Sequence, residues 1–138
     1  MAEADDELVC PDLIAAPEDP AGDLAVGARI HLVAASCPQC GHLEFPTLDT
    51  CPACGRATEE IALSVDAELA GFTSVLHPPP GALVEVPYHV GVARFPEGIC
   101  VMGLLLGVED GETPTVGEPL DTVVARPFDG ALTYAFRL

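Results

Sequence analysis

The amino-acid sequence predicts a mainly β protein in which a small cysteine-rich ribbon precedes a five-stranded barrel. Two matched C-x-x-C-G clusters lie close together in the N-terminal half of the chain. Five apolar segments separated by turn signals follow them, without a clear helical pattern between the segments. The chain has 138 residues, which is enough for one very small module and one small barrel.

The two cysteine clusters predict a metal site. Cys37 and Cys40 form the first C-x-x-C, Cys51 and Cys54 form the second, and a glycine follows each pair. Such a stretch folds into a tight knuckle, because glycine allows a positive φ after the second cysteine. Two facing knuckles supply four sulfurs in a tetrahedral arrangement, which is the geometry of a structural zinc site. We therefore predict that these four cysteines bind zinc.

The same four cysteines could instead form disulfides, a redox motif or an iron centre. Two disulfides would suit a secreted protein, but residues 1–8 are acidic where a signal peptide needs a basic region and then an apolar run. A thioredoxin-like redox C-x-x-C is normally single. A rubredoxin-like iron centre uses the same four sulfurs, so an iron electron carrier stays open as an alternative function.

The charge of the chain is strongly negative. It has five arginines, no lysine and 22 acidic residues, for a formal net charge of −17. This field repels phosphate backbones, so we expect no nucleic-acid partner, and a nucleic-acid-binding ribbon and barrel is a weaker alternative. The longest apolar run, residues 99–108, contains two glycines and is too short to cross a bilayer. We expect a soluble cytoplasmic protein without a membrane partner.

The sequence divides into three regions. Residues 1–28 hold eight acidic residues and three prolines, which predicts an acidic arm that is flexible or partly helical. Residues 29–60 form the metal ribbon, and the ten residues between its knuckles allow only a short hairpin or loop. Because so small a module buries little apolar surface, the metal should supply most of its folding energy. Residues 61–138 form the barrel.

The barrel region contains five predicted strands. They span residues 65–76, 83–95, 98–107, 118–126 and 131–137. Period-two alternation is clearest at residues 88–92 and 132–136. Gly71 is expected to mark the bend that lets one long strand serve both halves of a barrel. The pattern predicts a small Greek-key barrel such as an OB-fold, with an open β-sandwich as the structural alternative.

The order of these features resembles a known family. An acidic segment, Cys-x-x-Cys-Gly, ten residues, Cys-Pro-x-Cys-Gly and a five-stranded barrel are similar to the rubredoxin-like zinc-ribbon plus OB-fold proteins that associate with thiolase-like enzymes, long catalogued as domain of unknown function thirty-five. The motifs that carry the resemblance lie at residues 37–41, 51–55, 70–75, 87–92, 97–103 and 116–120. Together the resemblance covers residues 25–138.

The resemblance implies an accessory subunit, non-catalytic or co-catalytic, of a thiolase-fold acyl-CoA enzyme complex. The partner's reaction would be that of a thiolase, an acyltransferase or an aldolase. In this family the OB domain lies beside the active-site entrance of the partner and helps to enclose the acyl-CoA. A thiolase-like catalytic subunit in a hetero-oligomer and a coenzyme A thioester shared with it are therefore expected. The missing lysines depart from the family and indicate that the chain does not hold the CoA phosphates alone.

No residue pattern predicts catalysis by this chain alone. None of the four histidines is linked by sequence to a nucleophile and a supporting acid, so no catalytic residue is named. Cys100 lies in an apolar strand and is interpreted as an inert core residue. His89 lies on the strand face opposite Tyr88, where a satisfied or solvent-facing residue is expected. The candidates to line an acyl-CoA channel are His77, Tyr88, His89 and Arg94.

Overall fold

The computed structural model of the chain describes residues 14–17, 25–77, 87–109, 111–126 and 132–138. These residues form nine β-strands and no helix, which confirms the mainly β prediction. The strands are β1 (Ile14–Pro17), β2 (Ile30–Ser36), β3 (Leu43–Glu44), β4 (Glu59–Ala62), β5 (Asp66–Val75), β6 (Tyr88–Arg94), β7 (Cys100–Leu106), β8 (Pro119–Ala125) and β9 (Thr133–Arg137). In the part of the chain described, no helix is able to span a bilayer.

Strands β5 to β9 form a closed barrel in the order β5-β6-β7-β9-β8. All neighbours are antiparallel except β7 and β9, which pair in parallel. Each strand lies within the bounds predicted for it from the sequence, although residues 83–86 of the second predicted strand are outside the described residues. Closure of the barrel confirms the OB-type prediction and excludes the open sandwich.

The first barrel strand, β5, pairs with two neighbours along its length. Its residues 66–68 pair with β8, and its residues 68–75 pair with β6. The register against β6 shifts between Leu69 and Gly71, so the strand has an irregularity at the glycine. This agrees with the bend expected at Gly71, because a bulge lets a strand turn between two halves of a barrel.

Strand β2 is the centre of a second, smaller sheet. It pairs antiparallel with β1, β3 and β4. Strand β1 lies in the acidic arm, for which the sequence indicated flexible or partly helical structure, and its residues are instead a strand aligned on β2. The rest of the arm up to residue 24 lies outside the described residues.

The ribbon and the barrel share one hydrophobic core. Ile30, Leu32 and Ala34 of β2 are fully buried in the same cluster as inward-facing barrel residues such as Leu69 and Phe136. The backbone N–H of Leu63 also donates a hydrogen bond to the carbonyl of Leu32 at 2.8 Å. The ribbon therefore gains part of its burial from the barrel, a source of stability that the sequence interpretation had assigned mostly to the metal.

A second contact links the ribbon loop to the barrel. Phe45, which lies between the two knuckles, meets the ring of Tyr134 edge-on with ring centroids 5.8 Å apart. Tyr134 in turn packs against Phe136 at 5.8 Å, and Phe136 against Phe95 at 6.1 Å. This row of rings extends from the ribbon into the barrel, so both parts are held in one packed unit.

Packing decides which face of β6 points into the barrel. An added Cβ at Gly91 would lie 3.3 Å from Leu105, and Ala93 is fully buried, so these positions face the barrel interior. Strand alternation then places Tyr88, Val90 and Val92 on the outside, and all three are partly exposed. The large apolar residues of this alternation therefore lie outside the barrel. His89 lies on the inward face with its Nδ1 2.8 Å from Ser74 Oγ, so it has a polar partner, as expected from the sequence.

Candidate functional site

The two cysteine knuckles have nearly identical backbone geometry. Gly41 and Gly55 have φ values of 79° and 77°, in the left-handed region that favours glycine. Their N–H groups donate to the carbonyls of Cys37 and Cys51 at 2.9 and 2.8 Å. The N–H of each first cysteine donates to the carbonyl of the residue after the glycine, at 2.9 Å in the first knuckle and 2.7 Å in the second. The spacing predicted this repeated turn.

The four predicted sulfurs lie together. All are within 4.8 Å of one another, with Cys37 Sγ 3.4 Å from Cys54 Sγ and Cys40 Sγ 3.6 Å from Cys51 Sγ. Zn–S bonds of about 2.3 Å in a tetrahedron require sulfurs about 3.8 Å apart, so the quartet has the size of one tetrahedral ion. The observed separations are also far longer than a disulfide bond of about 2.05 Å. The residues present therefore fit a bound zinc ion.

The sulfurs change one another's protonation. Backbone N–H groups, that of Cys40 first, lower the pKa of Cys37 to about 6. At Cys54 the N–H of Arg56 lowers the pKa, but the side chain of Cys37, burial and the other thiols outweigh it and raise the pKa to about 12. Four thiolates at this spacing repel one another, so a divalent cation is what allows all four to be deprotonated together.

The quartet has one buried and one exposed cysteine in each knuckle. Cys37 and Cys51 are buried, whereas Cys40 and Cys54 are exposed. His42, which follows the first knuckle, lies with its Nε2 2.7 Å from the carboxylate of Glu44. One side of the site therefore faces the protein and the other faces the solvent.

The four candidates for an acyl-CoA channel lie in two places. Tyr88 and His89 begin β6, and His77 follows the end of β5 by two residues, so these three belong to the end of the β5–β6 hairpin at which the chain passes from β5 to β6. Arg94 ends β6, six residues from Tyr88, which is a distance of about 20 Å along a strand. The structure therefore groups three of the candidates and separates the fourth, while residues 78–86 lie outside the described residues.

The hairpin end contains a polar pair that the sequence did not reveal. Ser74 Oγ lies 2.8 Å from His89 Nδ1, because the two residues are directly opposite each other on β5 and β6. Both side chains are at least partly exposed. The sequence could not predict this pair, because the pairing of Ser74 with His89 depends on the register shift next to Gly71. The pair can donate or accept hydrogen bonds at this end of the barrel.

Arg94 lies in a groove on the opposite end of β6. The groove has a volume of about 700 Å³ and is lined by Arg94, Glu68, Phe95 and Cys100, among others. Arg94 donates to Glu68 at 3.0 Å, and Glu68 first, then Cys100, raise the pKa of the guanidinium. Cys100 was interpreted as a core residue, but it is exposed because it immediately precedes the inward-facing Val101.

Two family models match adjoining parts of the chain. Residues 25–60 match the family model described as the ChsH2 rubredoxin-like zinc ribbon domain. Residues 60–126 match the model described as the ChsH2 C-terminal OB-fold domain. The two matches meet at residue 60, where β4 of the ribbon sheet leads into the barrel.

Individual relatives cover most of the chain. The benzoylsuccinyl-CoA thiolase subunit BbsA of Thauera aromatica is 31% identical over 134 residues, or 92% of this chain and 85% of the relative. A DUF35 domain-containing scaffold protein of Methanocaldococcus jannaschii is 28% identical over 79% of this chain and 81% of its own length.

A solved structure has the same fold. The Ltp2-ChsH2(DUF35) aldolase superposes with a TM-score of 0.64 at 23% identity, covering 78% of this chain and 84% of the matched chain. Two adjoining family models, a relative above 30% identity and a four-cysteine ribbon on a closed barrel thus lead to one conclusion. The chain belongs to the ChsH2 (DUF35) family of zinc-ribbon and OB-fold proteins.

Proposed function

We propose that this chain is an accessory subunit, non-catalytic or co-catalytic, of a thiolase-fold enzyme complex that acts on an acyl-CoA. The observation that carries the proposal is the similarity of the whole ribbon-and-barrel unit to a protein named as a subunit of benzoylsuccinyl-CoA thiolase. The shared core supports it, because a ribbon fixed to a barrel presents one rigid surface to a larger enzyme.

Zinc would have a structural role in this subunit. Cys37, Cys40, Cys51 and Cys54 would hold the ion, and four sulfur ligands leave no open position for a water molecule or a substrate. The ion would link the two knuckles. The residues of the ribbon would then keep the shape needed for docking.

The catalytic subunit would hold the charged end of the acyl-CoA. CoA phosphates are negative, and a chain with a net charge of −17 repels them unless a basic partner is present. We place the nucleotide and the reacting groups, including a nucleophilic cysteine, on the partner. This chain would contribute contacts to the pantetheine or acyl portion from the hairpin end that contains Ser74, Tyr88 and His89.

Affinity purification tests the partner. The tagged full chain is isolated from an extract of its native organism, and mass spectrometry should identify a thiolase-fold protein in stoichiometric amount. Isothermal titration with an acyl-CoA should then show binding to the complex and little binding to the chain alone. Sub-micromolar affinity of the isolated chain would contradict the partner-dependent role.

Metal analysis separates the proposal from an iron electron carrier. Gently purified protein should contain about one zinc ion per chain and should be colourless, because zinc tetrathiolate has no visible absorption. A red protein with stoichiometric iron and reversible reduction would instead support electron transfer.

A further inference from the structure

We propose that the catalytic subunit docks on the outer face of strands β6 and β7, an inference that rests on the proposed function. The β6–β7 face consists of six apolar side chains, Tyr88, Val90, Val92, Met102, Leu104 and Leu106. No residue of this set carries a charge at neutral pH, in a chain that has 22 acidic residues.

Strand register places these side chains on one surface. Val90 pairs with Leu104, and Val92 pairs with Met102, and residues directly opposite in an antiparallel pair point to the same face. The intervening residues, among them Gly91 and Ala93, face the barrel interior. The six residues therefore form a continuous strip across two strands.

The barrel does not need these side chains for its own packing. On the inside, β6 and β7 present Gly91, Ala93, Val101, Gly103 and Leu105, of which Val101 and Leu105 belong to the buried core. The space next to Gly103 is filled from β9, since an added Cβ there would lie 2.8 Å from the ring of Tyr134 and 2.9 Å from that of Phe136. The six residues of the strip lie outside that core, and Met102 among them is 64% exposed.

The outer face of β8 and β9 differs from the β6–β7 face, because another segment of the chain covers it. Val123 of β8 pairs with Ala135 of β9, and both are buried although they alternate with inward-facing neighbours. Arg29, just before β2, forms an isolated antiparallel β-bridge with Val123. The N–H of Gly27 donates a hydrogen bond to the carbonyl of Val124 at 2.8 Å. There the chain covers its own barrel. On β6 and β7 the covering would come from another protein.

Charge favours a different protein over a second copy. Seven-residue strands at ordinary spacing make the β6–β7 face about 20 Å long and about 10 Å wide, or roughly 200 Å² in area. A stable dimer buries about 800 Å² on each partner, so contacts must extend beyond this face. Two copies would bring acidic surfaces together, whereas basic groups around an apolar patch on the catalytic subunit would attract them.

Substitution of the face tests the proposal. Met102→Glu and Val92→Glu place a charge on the strip, and Val116→Glu is the matched control because Val116 is 59% exposed in the turn before β8. Affinity for the purified thiolase-fold subunit is measured by titration with each full-length, metal-loaded variant. We expect both face variants to bind about thirtyfold more weakly or worse, and the control to bind within about twofold of the original chain.

A second measurement does not depend on introducing a buried charge. In a Cys100→Ser background, the thiol of Met102→Cys is alkylated with a maleimide, and the modified peptide is quantified by mass spectrometry. Adding the catalytic subunit should slow alkylation at position 102 by about tenfold or more, because a docked partner excludes the reagent. Alkylation of Val116→Cys should be unaffected.

The outcomes separate this inference from the proposed function. Capture of the thiolase-fold subunit with equal affinity by the original chain and the face variants, or unchanged alkylation at position 102, would overturn the docking face and leave the accessory function in place. Failure of the original chain to capture such a subunit would overturn both. A chain that dimerises alone and loses the dimer with Met102→Glu would show that the face binds a second copy and overturn the assignment to a catalytic partner.

Discussion

Cys51 and Cys100 are both cysteines next to β-structure, and their surroundings give them different roles. Cys51 is buried in the second knuckle, 3.6 Å from the sulfur of Cys40, and its sulfur also accepts a hydrogen bond from the N–H of Ala53 at 3.4 Å. Cys100 is exposed in the groove beside Arg94. At the residue scale, position within the quartet decides which thiol binds metal.

Cys51→Ser should release the metal, because the serine hydroxyl is a poor replacement for a thiolate ligand. Elemental analysis of the purified variant should find far less than one zinc ion per chain. Cys100→Ser is the matched control and should retain the full metal content. Unchanged zinc in the Cys51 variant, or loss of zinc in the Cys100 variant, would refute the assignment of four ligands.

Gly103→Ala should destabilise the barrel, because the added Cβ would lie within 3 Å of two aromatic rings. Overpacking of this kind costs about 1–3 kcal/mol in the free energy of unfolding. Urea denaturation followed by circular dichroism measures the change. Gly71→Ala is the control, since an added Cβ there would meet no atom within 4 Å. Equal stability of the two variants would contradict this prediction and show that the rings of Tyr134 and Phe136 move aside without lowering the free energy of unfolding.

At the scale of elements, β2 determines how the ribbon and the barrel depend on each other. It is the central strand of the ribbon sheet, and it places Ile30, Leu32 and Ala34 in the barrel core. The ring nitrogen of His31 on the same strand donates to the carbonyl of Leu63 at 2.7 Å. Loss of metal should therefore disorder the knuckles and leave β2 in place.

Leu32→Ala should lower the stability of the barrel as well as that of the ribbon. Truncation of a fully buried leucine costs about 2–5 kcal/mol in the free energy of unfolding. Thermal unfolding by circular dichroism and zinc release to a chromogenic chelator should shift together to lower temperature. Leu48→Ala, at a ribbon leucine that is 45% exposed, should change stability by less than about 0.5 kcal/mol. Independent transitions of ribbon and barrel would contradict the shared core.

At the scale of the whole molecule, charge limits which ligands the chain can bind alone. The chain has no lysine and a net charge of −17. Some of its arginines also form ion pairs with acidic side chains, such as Arg29 with Asp66 at 2.6 Å and Arg94 with Glu68 at 3.0 Å. Exposed pairs of this kind add little stability, but they reduce the positive charge available to an anionic ligand.

Nucleic acid should therefore not bind, even though ribbons and OB-folds often serve that purpose. Fluorescence anisotropy with single-stranded and double-stranded oligonucleotides should show no binding at about 0.15 M salt, because few cations are available to displace counterions from the phosphates. Saturable binding that weakens as salt increases would contradict this expectation and support the nucleic-acid alternative.

The metal site and the strand positions could be read from the sequence because they depend on local chemistry. The two knuckles repeat a turn that needs only a C-x-x-C and a glycine with positive φ. The bounds of the barrel strands follow from alternation and from the turn residues between them. The strand β1 in the acidic arm was not predicted, because it forms through its pairing with β2 and not from a local sequence pattern.

The tertiary structure decided which faces are inside and which surfaces remain free. Period two marks β6 as a strand, but either face could have been the inner one. Inside the barrel, the rings of β9 fill the space next to Gly103 of β7. The exposure of Cys100 and Met102, and the partial exposure of the other five residues of the β6–β7 face, follow from that packing. These features require residues distant in sequence to meet, so local pattern determines the strands, and the closed barrel determines what each face can bind.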